Sequence, residues 1–297
     1  MTELSEKILA DWQVRKTKKQ KTAFIEFMKG ELPDLKIEEG GLMKSRNLIL
    51  GDPATAKTLI GAHYDTCAAL PFPNFITPKN FLVYILYNLL LLLPMIAMMA
   101  VFFRTMNLVF YFLGLGYAVA MMIVMMAGVP NKHTANDNTS GVIALCEIWA
   151  ALSDEEKKRT ALVFFDNEEN GLLGSRLYAA RHKSQIKNQL MINLDCISDG
   201  DYIMVISSKS AEKKHGAVVS GAFESRDGKT VVLASSKNTL YPSDQASFPS
   251  HVAIAALKKN KLVGYYLDKI HTKHDVNFDE KNIELICDGV HKIVSEM

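Results

Sequence analysis

The sequence predicts an α/β fold: a mostly parallel central sheet flanked by helices, interrupted by an inserted two-helix transmembrane hairpin. Three observations predict it. Short apolar runs alternate with helical patterns, the rhythm of parallel strands joined by crossover helices. Several of these runs end on a histidine or a carboxylate, and in such sheets ligands gather at the carboxyl ends of the strands. Residues 81–103 and 108–129 carry no charge at all.

The 297-residue chain is long enough for one large domain or two smaller ones. A formal net charge of +2 argues against nucleic acid as a main partner. The hydrophobic share of 48% is ordinary for a globular protein, but the two apolar stretches hold a disproportionate part of it. Cys67, Cys146, Cys196 and Cys287 show no C-x-x-C spacing and read as free thiols rather than a disulfide framework. The first twelve residues are mixed and charged, without the apolar core of a signal peptide.

Residues 5–28 read as one helix, with Leu4, Ile8, Leu9 and Trp12 at helical spacing. Its basic run at 15–21 is either a solvated face or a contact with an anionic membrane surface. Residues 58–62 read as a buried strand ending at His63, followed by a linker punctuated by Pro71, Pro73 and Pro78. At a rise of about 1.5 Å per residue, residues 81–103 reach roughly 34 Å, enough for a hydrocarbon core of about 30 Å. Residues 104–107 form a polar break, and 108–128 make a second span of similar reach. Asn88 and Pro94 are tolerated in membrane helices. The competing reading is a buried helical hairpin of a soluble fold, but such helices rarely stay apolar on every face for this length.

Lys79, Lys132 and the Lys/Arg-rich remainder flank the spans on one side, against only Arg104 on the other. The positive-inside bias therefore predicts an integral membrane protein with two spans and its large domain in the cytoplasm. The expected organisation is a first domain part at 1–79, the hairpin at 80–129 and a second domain part at 130–297. Beyond the hairpin, residues 142–152 read as a helix capped by Asn138, Thr139 and Ser140. Then follow a strand at 160–165, a helix at 172–182 and a strand at 190–194 ending at Asp195. Residues 202–206 and 230–233 read as strands, 252–257 and 261–267 as strand material, and 282–294 as the last helix.

His63, Asp137, Glu168, Glu169, Asp195 and His271 form the ligand inventory of a two-metal hydrolytic site. Asp65, two residues beyond His63, is placed to accept the other imidazole N–H. Glu168 and Glu169 are neighbours and point different ways, so that one binds metal while the other faces water as general base. Singly each piece has a plainer reading: a surface H-x-D pair, a solvated Glu-Glu pair, an Asp at a helix cap. Their order and their places at strand ends argue for one constellation.

These residues resemble the co-catalytic zinc aminopeptidases of metallopeptidase family 28, related to glutaminyl cyclases and glutamate carboxypeptidases. The resemblance covers most of the chain outside the hairpin. It rests on G-A-H-Y-D-T at 61–66, N-D-N-T-S-G at 136–141, N-E-E-N-G-L-L-G-S at 167–175, N-L-D-C-I at 193–197, S-D-Q-A-S-F at 243–248 and I-H-T-K-H-D at 270–275. It implies a zinc aminopeptidase-like fold in which His63 and Asp195 bind one Zn2+, Glu169 and His271 a second, and Asp137 bridges. Glu168 would be the general base and Asp65 the support of His63. Tyr241 is the candidate oxyanion group, His271 fits the last motif better than His274, and His133 is a bystander. Nitrogen and oxygen ligands of this kind also accept Mn2+ or Co2+.

The hairpin departs from the soluble members, because it separates the first ligand from the bridging one. The expected catalytic mouth lies close to the membrane plane and admits hydrophobic or membrane-derived peptides. The expected partners are peptide substrates and the lipid bilayer, with Gly114 and Gly116 as a possible seam for a homo-oligomer. The expected function is a membrane-anchored aminopeptidase. Three alternatives stand beside it. A carboxypeptidase or dipeptidase would need an arginine such as Arg176, Arg181 or Arg226 to grip the substrate carboxylate. A glutaminyl cyclase would use one zinc, and a non-enzymatic membrane scaffold would be expected to lose ligands.

Overall fold

A computed structural model describes all residues, 1–297. Its centre is built from the most apolar short runs of the chain. β3 (Thr58–His63), β4 (Thr160–Phe165) and β5 (Leu190–Leu194) are buried at every position, as strands covered on both faces must be. They pair in parallel as β4-β3-β5, and β8 (His251–Asn260) joins β5 in the same direction. Outside this core the sheet is mixed. β2 (Ser45–Gly51) adds antiparallel to β4, β1 (Lys36–Gly40) adds antiparallel to β2, and β6 (Tyr202–Ser207) lies antiparallel to β8. β7 (Thr230–Ser235) closes that edge parallel to β6, and the short β9 (Gly264–Tyr266) folds back on the end of β8.

Helices cover both faces. α1 (Glu3–Asp11), α2 (Lys18–Glu31), α5 (Gly141–Ala151), α8 (Lys209–Ala222) and α9 (Glu280–Glu296) pack Ile8, Phe24, Leu145, Val219 and Ile286 onto Leu162 and Ile192. On the opposite face α7 (Leu173–Arg181) sets Tyr178 against Val163, Phe165 and Met191. The short α6 (Asp154–Lys158) precedes β4. α9 shows why its sequence makes this helix: Ile283, Ile286, Val290, Ile293 and Val294 recur at helical spacing and are all buried.

Several elements differ from the sequence reading. The expected single helix at 5–28 is two helices, because Arg15 turns inward between them. Its buried guanidinium donates to the carbonyls of Trp12 and Tyr64 and to Thr139 Oγ1, bonds that an unbroken helix would not reach. Thr17 then restarts the helix with a reciprocal capping box to Gln20. β1 and β2 lay unread in a polar stretch, and α8 in one containing Gly216 and Gly221. The expected strand at 261–267 shrinks to the three residues of β9. Finally, of the three residues expected to cap α5, Ser140 makes no side-chain cap, whereas Asn138 accepts the N–H of Gly141, the first residue of α5, at 3.1 Å from the wide turn over Ala135–Ser140.

α3 (Phe81–Thr105) and α4 (Leu108–Ala127) stand apart from all three buried clusters. Their 18-residue apolar stretches have mean hydropathies of 2.3 and 2.2, and Gly114 is the only buried residue of the pair. They are held to each other: Tyr117 donates to the Leu91 carbonyl at 2.7 Å, and Gly114 lies under Met99. Gly114 thus serves the contact inside the hairpin, whereas Gly116 faces open space. By length and composition the two helices are candidate membrane spans. The ends of the insert are pinned together, Ala69 N–H on the Val129 carbonyl at 2.8 Å and Asn131 N–H on that of Cys67 at 3.1 Å.

A Cβ at Gly174 would stand 2.2 Å from the Asp166 carbonyl oxygen and 2.5 Å from Asn47 Oδ1, so Gly174→Ala must displace the loop after β4. At Gly216, inside α8, nothing lies within 4 Å. We expect urea unfolding of detergent-solubilised protein to show Gly174→Ala destabilised by about 1–3 kcal/mol. Gly216→Ala should be stabilised by about 0.4–1 kcal/mol. Equal effects of the two substitutions would contradict this account of the packing.

Candidate metal centre

The carboxyl ends of β3, β4 and β5 deliver the first half of the site. His63 is the last residue of β3, Glu168 and Glu169 lie in the turn after β4, and Asp195 follows β5 directly. Asp137 comes from the turn after the hairpin, and His271 from the loop beyond β9. The asparagines on either side of Asp137 fix it. The Asn136 carboxamide oxygen accepts the backbone N–H groups of Ser198 and Asp199. Asn138 donates to the Leu194 carbonyl, and its oxygen accepts from Gly141 and Cys196. From below, the Asp275 carboxylate accepts the N–H of Asn136 at 2.9 Å and that of Asp137 at 3.0 Å. The Asp137–Asn138 peptide is cis.

Asp137 divides its two oxygens between two histidines. Oδ1 lies 3.3 Å from His63 Nε2, and Oδ2 lies 3.2 Å from His271 Nε2. Asp195 Oδ1 stands 3.6 Å from His63 Nε2 and Glu169 Oε2 stands 3.2 Å from His271 Nε2. The five residues therefore form two neighbouring donor groups that share one carboxylate. Donor atoms of His63, Glu168 and Glu169 also lie within 4.8 Å of one another, so Glu168 borders the same space.

The donor set fits divalent cations. Asp195 Oδ1 and Glu169 Oε1 are buried without any hydrogen-bond partner, the condition of a ligand oxygen aimed at an ion. The electrostatics agree. Burial opposes a charge on either histidine, yet the carboxylates override it. Glu168, Asp137 and Asp195 hold His63 well above the ordinary histidine range, and Glu169 with Asp137 lifts His271 to about 9. Burial, with Asp137 adding to it, raises the Glu169 carboxyl to about 7 although His271 opposes. The pocket is short of positive charge, and two imidazoles with three carboxylates are ligands suited to supplying it as metal.

Strained backbone clusters here. Asn167, Leu172, Cys196 and His271 all take left-handed φ values between 55° and 64°. His271 is a candidate ligand, Cys196 follows another, Asn167 precedes Glu168 and Leu172 lines the same cavity; such conformations, at about 1–3 kcal/mol, persist only where surroundings enforce them.

Of the other sequence-predicted residues, Asp65 works differently from expectation. His63 Nδ1 meets the Asp65 backbone carbonyl at 3.0 Å, while the carboxylate stands 3.7 Å away. That carboxylate accepts the N–H groups of Glu168 at 2.9 Å and Glu169 at 3.3 Å, so Asp65 shapes the Glu-Glu turn as well as the histidine. Tyr241 lines the cavity, but its hydroxyl donates to the Asp195 carbonyl at 3.0 Å. His133 is exposed and outside the site, and Arg176, Arg181 and Arg226 do not line it.

Sequence reading missed three residues. Cys67 lies among Asp137, Glu169 and His271, its thiol pushed well up by burial and then by Glu169. Asp275 carries the bridging turn. Asp244 is fully buried with neither oxygen paired, and burial raises it to about 7. Asp244 and Asp275 stand inside the S-D-Q-A-S-F and I-H-T-K-H-D motifs, which drew attention to them without giving them a role; Cys67, just past G-A-H-Y-D-T, offered no signal of its own.

Asp65→Ala removes the acceptor of two turn amides and a neighbour of His63. We expect divalent-metal affinity, measured by competition with a chromophoric chelator, to fall about 10–100-fold while the fold survives.

Comparison with known proteins bears on the fold and the family. The glutaminyl cyclase of Porphyromonas gingivalis superposes with a TM-score of 0.62 at 14% identity, covering 99% of this chain and 95% of that one. The aminopeptidase LapA of Legionella pneumophila gives 0.57 at 12% identity, covering 99% and 68%. The TET1 peptidase of Pyrococcus horikoshii gives 0.52 at 14% identity, covering 99% of each. At these identities the likeness is one of fold. A search among curated proteins finds no match. Residues 120–291, more than half of the chain, match the profile of Peptidase family M28. That stretch runs from within α4 to within α9 and carries every candidate ligand except His63, so the chain belongs to peptidase family M28.

Proposed function

We propose that the chain is a membrane-anchored metallo-aminopeptidase that removes N-terminal residues from peptides with two zinc ions and Glu168 as general base. The observation that carries this reading is Asp137, whose two oxygens each face a different histidine within 3.3 Å. His63 and Asp195 would hold one ion, Glu169 and His271 the other, and Asp137 both. A pair of such ions supplies Lewis acidity and makes a water proton easy to lose. Mn2+ or Co2+ would serve the same donors.

Glu168 lines the cavity beside the ligands. Burial pushes its carboxyl well above the usual range, and Glu169 adds to this against the pull of His63. A carboxyl so poised takes a proton from the attacking water on one of its oxygens and delivers it to the leaving amine nitrogen. Asp65 keeps that carboxyl aimed by holding the Glu168 amide.

Substrate polarity follows from the walls. No lysine or arginine lines the cavity, which leaves nothing to grip a substrate carboxylate and favours a peptide presenting its α-ammonium to the acidic floor. Ile76, Leu172, Pro242 and Ile270 supply apolar surface for side chains. Asn74 and Ile76 belong to the loop that enters α3, and the Leu70 N–H bonds the His271 carbonyl at 2.8 Å. These links support a mouth near the bilayer and hydrophobic or membrane-derived peptides as substrates. The flanking Lys79 and Lys132 favour a cytoplasmic catalytic domain.

Aminoacyl-anilides should be cleaved by the detergent-purified protein, and their N-acetylated analogues should not. Glu168→Gln should lower kcat by about 10²–10⁴-fold with bound zinc unchanged. Equal cleavage of acetylated substrates, or cyclisation of N-terminal glutaminyl peptides without hydrolysis, would overturn the aminopeptidase reading.

A further inference from the structure

A second cavity, of about 520 Å³, opens between the N-terminal end of α2, the β1–β2 turn and the C-terminal end of α4. Lys16, Lys18, Lys21, Lys44 and Arg46 line it, against only Glu39 and Asp166. Lys21 is committed to Asp166 at 2.6 Å. Lys16, Lys18, Lys44 and Arg46 have no carboxylate within 4.0 Å. The cavity therefore holds three formal positive charges in excess, and four of its cations have no carboxylate partner, with the Lys16 ammonium donating only to carbonyls of α4 and the Arg46 guanidinium to the Thr22 hydroxyl and the Lys18 carbonyl.

Its other wall is the end of the hairpin. Met126 and Ala127, the last residues of α4, border it, and Lys16 Nζ donates to the Met126 carbonyl at 2.8 Å. Met43 lines the same rim at 52% exposure, and its neighbour Leu42 at the β1–β2 turn is 99% exposed. A cationic cup rimmed by bare apolar side chains, at the end of a lipid-compatible helix, matches the junction between headgroups and acyl chains. A soluble anion would use the cations but would leave Leu42 and Met43 without a role.

We propose that this cavity binds the phosphate headgroup of an anionic phospholipid, with the Leu42–Met43 turn resting in the acyl boundary. The inference rests on reading α3 and α4 as membrane spans. A headgroup there lies against Lys21, which also bonds Asn167 at 2.8 Å, so the lipid site and the Glu168 turn share a wall.

The test uses the full chain in nanodiscs of phosphatidylcholine containing phosphatidylglycerol, with native mass spectrometry counting the lipids retained on release. Wild-type protein should retain phosphatidylglycerol over phosphatidylcholine. The combined variant Lys16→Gln, Lys18→Gln, Lys44→Gln should lose that preference by about tenfold or more. The control Lys183→Gln, Lys187→Gln, Lys213→Gln removes the same charge from exposed positions elsewhere and should retain it. Equal retention by wild type and the first variant overturns the headgroup site and leaves the anchor standing. Release of the intact chain from membranes by carbonate extraction removes the anchor and the headgroup site together. If inorganic phosphate raises the unfolding midpoint of the detergent-solubilised protein as much as phosphatidylglycerol does, the cavity belongs to a soluble phosphate and the lipid assignment falls.

Discussion

The structure turns on the crowding of negative charge at the ends of three apolar strands. Asp65, Asp137, Glu168, Glu169 and Asp195 converge within one small pocket, where burial denies them the solvation that would keep them apart. Everything nearby answers that crowding. Backbone amides are spent on Asp65 and Asp275, histidines are drawn toward the charged form, and donor oxygens are left facing one another with a space between. The same carboxylates on a solvated surface would be unremarkable. Their meaning comes from the strands beneath, which fix where each one emerges.

The insert is compatible with this centre because it enters and leaves at one point. The residues before α3 and after α4 bond each other across the neck, so the sheet meets the hairpin as it would meet a short loop. That neck is built from the segments carrying Cys67 and leading to Asp137, both within the donor cluster. The hairpin is therefore attached to a buried, hydrogen-bonded part of the molecule beside the donor cluster.

Much of this was legible in the sequence, for physical reasons that also mark where it stops. β3, β4 and β5 announce themselves because burial on both faces demands continuous apolar runs, and His63, Glu168, Glu169 and Asp195 stand out by following them. The hairpin is legible because two long runs without a charge on any face stand out from the rest of the chain. β1 was not, since Lys36, Glu38 and Glu39 carry no apolar alternation and the strand exists by pairing with β2. The break between α1 and α2 was hidden because a buried arginine contradicts the usual reading of a basic run, and only Tyr64 and Thr139, distant in sequence, make it tolerable. Cys67 was silent, and Asp244 was seen in its motif without a role, because burial beside a site is a property of the assembled fold.

The pairing of β3 with β4 and β5 carries a consequence for biosynthesis. β3 ends at residue 63, and its first partner begins at residue 160, on the far side of the hairpin. A ribosome adding about 5–20 residues per second leaves β3 alone for several seconds while α3 and α4 emerge. On the proposed reading of α3 and α4 as membrane spans, both helices leave the ribosome before β3 meets its first partner, so the bilayer would receive the hairpin before the sheet closes and the donor groups gather.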